Sequence, residues 1–175
     1  MNYSPDEYSK QYIVQALLAL MKSYLYDKIT VIDIAKKAGV GRATFYRYFK
    51  SKEDVIRFCF DHNRQKFVFE QRYYPRCAED YKEIAATALT MFKNNKELFL
   101  LLKKADLQSL YLDYLNSNFA QTFERDYPDK DSYLPYIYAG MLFNVSMKWL
   151  EDDCKQSPQS VAETILDAIY FKTDN

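Results

Sequence analysis

Glycine is scarce in this chain: Gly39, Gly41 and Gly140 are the only three in 175 residues. Average usage would supply roughly 12 in that length. Hairpins, bulges and phosphate-binding loops all draw on glycine. A β-sandwich, a dinucleotide-binding fold and a P-loop enzyme are therefore nearly excluded, and an all-α protein remains. Histidine occurs once, at His62, and no spacing brings triad or metal-ligand partners toward it. The cysteines, Cys59, Cys77 and Cys154, are scattered and form no C-x-x-C pair. That argues for reduced thiols and against a disulfide framework or zinc site. No apolar stretch approaches the ~20 residues that span a bilayer. The opening MNYSPDEYSK has neither the basic region nor the apolar core of a signal peptide. These absences predict a cytoplasmic, non-enzymatic helical protein with no cofactor, no metal and no membrane partner.

Net charge is also absent, with 24 Lys and Arg against 24 Asp and Glu. The balance is uneven along the chain, however. Residues 1–66 carry twelve basic against seven acidic side chains, and the remainder carries twelve against seventeen. A basic head on an acidic body is the distribution expected where only the head meets a polyanion.

What is present is clear helix punctuation. Ser4-Pro5-Asp6-Glu7 supplies a cap, a proline at the first helical position and a glutamate three residues after the cap. Ile13, Ala16, Leu17, Leu20 and Tyr24 then form one apolar stripe. Thr30 with Asp33 reads as a reciprocal cap opening a two-turn helix, which Gly39-Val40-Gly41 breaks. A very short helix follows from Arg42 to about Phe49. Ser51, with Asp54 three residues on, opens a long helix to about Gln71, which Tyr73-Tyr74-Pro75 ends. Further helices are predicted at about 78–93, 96–103, 105–125, 132–152 and 158–171.

The function-bearing stretch is TVIDIAKKAGVGRATFYRYFKSK, residues 30–52. Two short amphipathic helices joined by a glycine-containing turn meet the requirements of a helix-turn-helix. At 100° per residue, Phe45 and Phe49 share the inward face of the second helix. Ala43 and Arg47 lie opposite, flanked by Thr44 and Tyr46, with Arg42 at the N-terminal edge, and Gly41 and Tyr48 complete the candidate DNA-binding set. A small residue permits close approach to DNA, and arginine bonds bidentately to guanine O6 and N7. Thr30 and Lys52 sit at helix starts, where a hydroxyl or ammonium can meet a phosphate. The same pattern also fits a helical ligand-binding or protein-interaction module whose head does not bind DNA.

The stretch resembles the DNA-binding head of TetR-type regulators (the TetR/AcrR family). Thr30, Ile34-Ala35, Gly39-Val40, Phe45-Tyr46-Arg47-Tyr48-Phe49 and Lys50-Ser51-Lys52-Glu53 follow that family's order without a gap, over roughly 8–66. More weakly, residues 138–150 and 157–161 resemble its last two helices, with Glu151-Asp152-Asp153-Cys154 where relatives often place glycine.

The resemblance implies a helix-turn-helix head at 1–51 and a helical effector-binding and dimerisation body at 52–175, about nine helices in all. It further implies a homodimeric, ligand-responsive repressor on a palindromic double-stranded operator. The expected dimer residues are Val145, Trp149, Val161, Ala162, Ile165 and Ile169. Aromatics are in surplus, with 17 Tyr and 12 Phe. Phe92, Leu101, Tyr111, Tyr114, Phe119, Tyr138 and Leu142 are the expected lining of a pocket for a small, largely apolar effector.

Overall fold

The computed structural model describes residues 5–70 and 77–170. Ser4 and the Tyr73-Tyr74-Pro75 break lie outside the described residues. Those residues form nine α-helices: α1 (Pro5–Ser23), α2 (Val31–Ala38), α3 (Arg42–Tyr48), α4 (Lys52–Glu70), α5 (Ala78–Asn94), α6 (Lys96–Lys104), α7 (Gln108–Asp126), α8 (Leu134–Glu151) and α9 (Pro158–Tyr170). One 3₁₀ turn, Tyr26–Lys28, precedes α2. The all-α expectation holds, and the predicted helix bounds agree to within a few residues.

The chain divides into two compact units. The first comprises Met1–His62 with Leu101–Tyr111, and the second Asn63–Leu100 with Leu112–Asn175. In the first, α1 packs on α2 and α2 on α3. Ile13, Ala16 and Leu17 are buried as their spacing requires, together with Ile34, Phe45, Phe49, Val55, Ile56 and Phe60. The apolar stripe of α1 differs at its end. Met21 is buried there, whereas Tyr24 lies beyond the last turn and is exposed. Cys59 is buried too, and burial pushes its thiol up to about 12, so it stays protonated and inert.

In the second unit α5 packs against α9 and α8. Phe92 stacks on Phe99 with ring centroids 4.5 Å apart. Leu89, Leu150, Val161, Ala162 and Ile165 fill the same interior. Trp149 donates its indole N–H to the Gln156 carbonyl at 3.1 Å, fastening the turn after α8. Ser157 caps α9 by accepting the Ser160 N–H at 3.1 Å, with Pro158 at the first helical position.

Helix termination shows how the chain manages with so little glycine. After α2, Val40 N–H reaches the Ala35 carbonyl and Gly39 N–H the Lys36 carbonyl, with Gly39 left-handed at φ 68°. This is a Schellman end. The same pair of bonds closes α6, from Leu107 to Leu102 and from Asp106 to Lys103, and α8, from Cys154 to Trp149 and from Asp153 to Leu150. There the left-handed residues are Asp106, Asp153 and Cys154, at φ 56°, 61° and 52°. Aspartate tolerates that region better than most L-residues. Lys96 also holds the Asp153 carboxylate.

This comparison sets opposite signs for two substitutions. A Cβ at Gly39 meets nothing within 4 Å, so Gly39→Ala should cost only the backbone term, about 1–2 kcal/mol. Asp106→Gly relieves strain and should raise the melting temperature by about 1–3 °C. Thermal melting followed by circular dichroism checks both.

Candidate nucleic-acid interface

The interface begins with a helix of seven residues, α3, which is too short to persist on its own. Phe45 is 0% exposed and Phe49 4%, and Phe49 meets Phe58 of α4 edge-on at 5.6 Å. Those two anchors fix the rotation of the helix. Arg42, Ala43, Tyr46 and Arg47 consequently face outward, while Thr44 and Tyr48 are half-buried at its flanks. Gly41 is the exposed residue preceding the first turn, at φ −72°. The Arg42 guanidinium lies 5.5 Å from the Tyr46 ring centre, one turn away. The exposed face is therefore small at Ala43 and cationic-aromatic around it.

Thr30 and Asp33 form a capping box. The Asp33 N–H donates to Thr30 Oγ1 at 3.2 Å, and the Thr30 N–H and hydroxyl donate to Asp33 Oδ2 at 2.9 and 2.6 Å. The hydroxyl bond, then the backbone bond, hold the Asp33 carboxyl below its usual range. The Thr30 hydroxyl proton is thus committed to Asp33, although the residue is exposed.

Lys52 also has partners inside the protein. Its Nζ donates to the carbonyls of Tyr26 and Ile29, both at 2.8 Å, and sits 4.1 Å from the centre of the Tyr26 ring. Tyr26 in turn donates its phenol to Glu53 Oε1 at 2.6 Å. Burial, then the hydrogen bond to Glu53, push the Tyr26 phenol far above its ordinary value. Burial alone would raise the Glu53 carboxyl, but bonds from Tyr26, its own N–H and Ser51 outweigh it and leave it lowered. Lys52 and Glu53 therefore clamp the 3₁₀ turn to the start of α4. Two of the three ammonium donors are committed inside the protein, which leaves one for the phosphate contact expected of Lys52. Local charge placement was visible in the sequence; the internal carbonyls opposite it were not.

Tyr48 is tied back as well. Its hydroxyl donates to Asp6 Oδ1 at 2.5 Å and accepts from Arg47 Nη2 at 2.6 Å. Asp6, on the first turn of α1, lies outside the helix-turn-helix pattern, and no signal in that pattern points to it.

In the second unit, a cavity of about 100 Å³ lies among α5, α7, α8 and α9. Phe119, Tyr138 and Leu142 line it, with Tyr81, Met141 and Ile169 among their neighbours. The other expected lining residues are elsewhere. Phe92 is packed on Phe99. Leu101 and Tyr111 belong to the first unit, where Tyr111 meets Phe60 edge-on at 4.7 Å. Tyr114 is half-buried and does not reach the cavity. The dimer set is also redistributed. Trp149, Val161, Ala162 and Ile165 are buried within one chain, leaving Val145 and Ile169 half-buried. His62 stacks on Phe58 along α4. Among the described residues no His, Cys, Asp and Glu cluster could hold a metal, and no helix is long and apolar enough to cross a membrane.

Residues 13–57 match the family profile described as "Bacterial regulatory proteins, tetR family", and residues 79–170 match "Transcriptional regulator C-terminal region". The chain belongs to the TetR family. The fatty acid metabolism regulator protein of Bacillus subtilis is 36% identical over 73 residues, 42% of this chain and 34% of that protein. The chain spans between 28% and 40% of the length of the curated relatives it matches. Lin0861 from Listeria innocua superposes with a TM-score of 0.80 at 18% identity, covering 98% of this chain and 94% of that one. FadR from Bacillus subtilis in complex with stearoyl-CoA gives 0.59 at 19% identity, covering 91% and 96%. These two likenesses show the TetR fold.

The clamp and the capping box make two predictions about stability. Lys52→Met leaves two carbonyls without their charged donor and should lower stability by about 1–3 kcal/mol in urea denaturation. Asp33 and Glu53 have lowered folded-state values, so each contributes stability that is present above its unfolded value. That contribution disappears as pH falls through the folded value. Asp33→Asn with Glu53→Gln should therefore flatten the acid limb of a stability–pH profile.

Proposed function

We propose that this TetR-family chain is a homodimeric, ligand-responsive repressor, not an enzyme, that binds a palindromic DNA operator. The observation that carries the reading is the outward face of α3, where Arg42, Ala43, Tyr46 and Arg47 are exposed together while Phe45 and Phe49 anchor the helix. That is the shape and charge a major groove admits, and Arg42 and Arg47 are the residues able to read guanine. Gly41 and Thr44 flank this face and supply close approach and a hydroxyl, and Thr30, exposed at the start of α2, is a further polar candidate.

Two copies are needed to read a palindrome. After internal packing, α8 still exposes Tyr136 and Ile137, at 52% and 58%, with Tyr133 at its start. This surface and the half-buried Val145 and Ile169 support a twofold contact through α8 and α9. The effector reading is supported by the apolar cavity and by the FadR complex with stearoyl-CoA. At about 100 Å³ the cavity is smaller than the ~300–1,000 Å³ of established ligand sites. An effector must therefore part helices that include α8 and α9, which couples occupancy to the dimer contact.

Binding to a duplex selected from a random pool tests the reading. Arg47→Ala or Arg42→Ala should weaken specific binding by about 1–3 kcal/mol where each reads a guanine. An unchanged affinity in the double mutant contradicts the assigned face. For assembly, light scattering should give a dimer mass, and Tyr136→Asp with Ile137→Asp should give a helical monomer. A wild-type monomer at micromolar concentration would remove the dimer.

A further inference from the structure

We propose that Asp6 and Tyr48 are positioning residues for Arg47, orienting its guanidinium for base contact; this rests on the DNA-binding reading above. Arg47 is exposed on α3, and a mobile arginine loses rotamer freedom when it meets a base. Here that freedom is already restricted. Nη2 donates to the Tyr48 hydroxyl oxygen at 2.6 Å, and the guanidinium carbon lies 4.7 Å from the Tyr48 ring centre.

Tyr48 is itself held from a different helix. Its hydroxyl donates to Asp6 Oδ1 at 2.5 Å, and Lys10 Nζ lies 5.6 Å from its ring centre. With the phenol proton committed to Asp6, the oxygen's lone pairs are left to accept from Arg47. A carboxylate–phenol–guanidinium chain of this kind polarises along its length. It uses one of the five guanidinium N–H donors, so a bidentate pair remains for guanine O6 and N7.

Asp6 is otherwise an awkward residue to find here. A carboxylate beside the reading helix repels DNA phosphates, so charge alone would make its removal tighten binding to every sequence. Positioning has the opposite consequence for the operator. The first turn of α1 would then help set the specificity of α3.

The test uses the full chain, a duplex selected by the wild type, and a scrambled duplex of equal length at the same salt. Asp6→Ala and Tyr48→Phe should each lower the ratio of operator to scrambled affinity about 5- to 10-fold. Asp6→Asn removes the charge but keeps an acceptor, and should retain the ratio. In an Arg47→Ala background, Asp6→Ala should change the ratio no further. An Asp6→Ala variant that binds both duplexes more tightly, with the ratio unchanged, overturns the proposal in favour of charge alone. An equal loss of ratio with and without Arg47 overturns it in favour of a general role in folding. A wild type that prefers no duplex fails earlier, and removes the DNA-binding reading itself.

Discussion

Seven residues make a helix that water alone would unravel, and α3 persists because Phe45 and Phe49 are held in the interior of the first unit. Burying each ring is worth about 1.5–3 kcal/mol. The same burial sets the helix's rotation, since residues four apart share a face. Arg42, Ala43, Tyr46 and Arg47 are outside because those two phenylalanines are inside. The geometry of the candidate interface is thus a consequence of core packing.

The rest of the head secures that helix from both sides. The Thr30–Asp33 box fixes the start of α2, and left-handed Gly39 turns the chain toward α3. Lys52 and Glu53 grip the 3₁₀ turn through Tyr26, so the start of α4 cannot shift without disturbing the segment that leads into α2.

Much of the fold was legible because helix ends announce themselves chemically. Thr30 and Ser51 precede their helices as caps, and Gly39 closes one with the only positive-φ glycine described. The two faces of α3 followed from residue spacing. Residue types could not show which partners a polar or apolar group would find. Lys52 looked outward as a charge, yet two carbonyls from residues more than twenty positions earlier hold it. Trp149, Val161 and Ile165 have the spacing of an interface, but that spacing also serves burial within one chain, where α9 packs on α5. For the pocket, apolar aromatics such as Phe92 and Tyr111 were indistinguishable from core until their ring partners were known. In the sequence Asp6 shows only the character of a helix-start residue, since its tie to Tyr48 spans 42 positions.

The central claim, that α3 seats its arginine face in a major groove once per subunit, is tested most directly by protection of guanine N7 from methylation. The probe is a duplex selected by the full chain. The account predicts two protected patches on one face of the DNA, with centres one helical turn or a multiple of it apart. Protection confined to the sugar–phosphate backbone, or no protected guanine in either half-site, would contradict it.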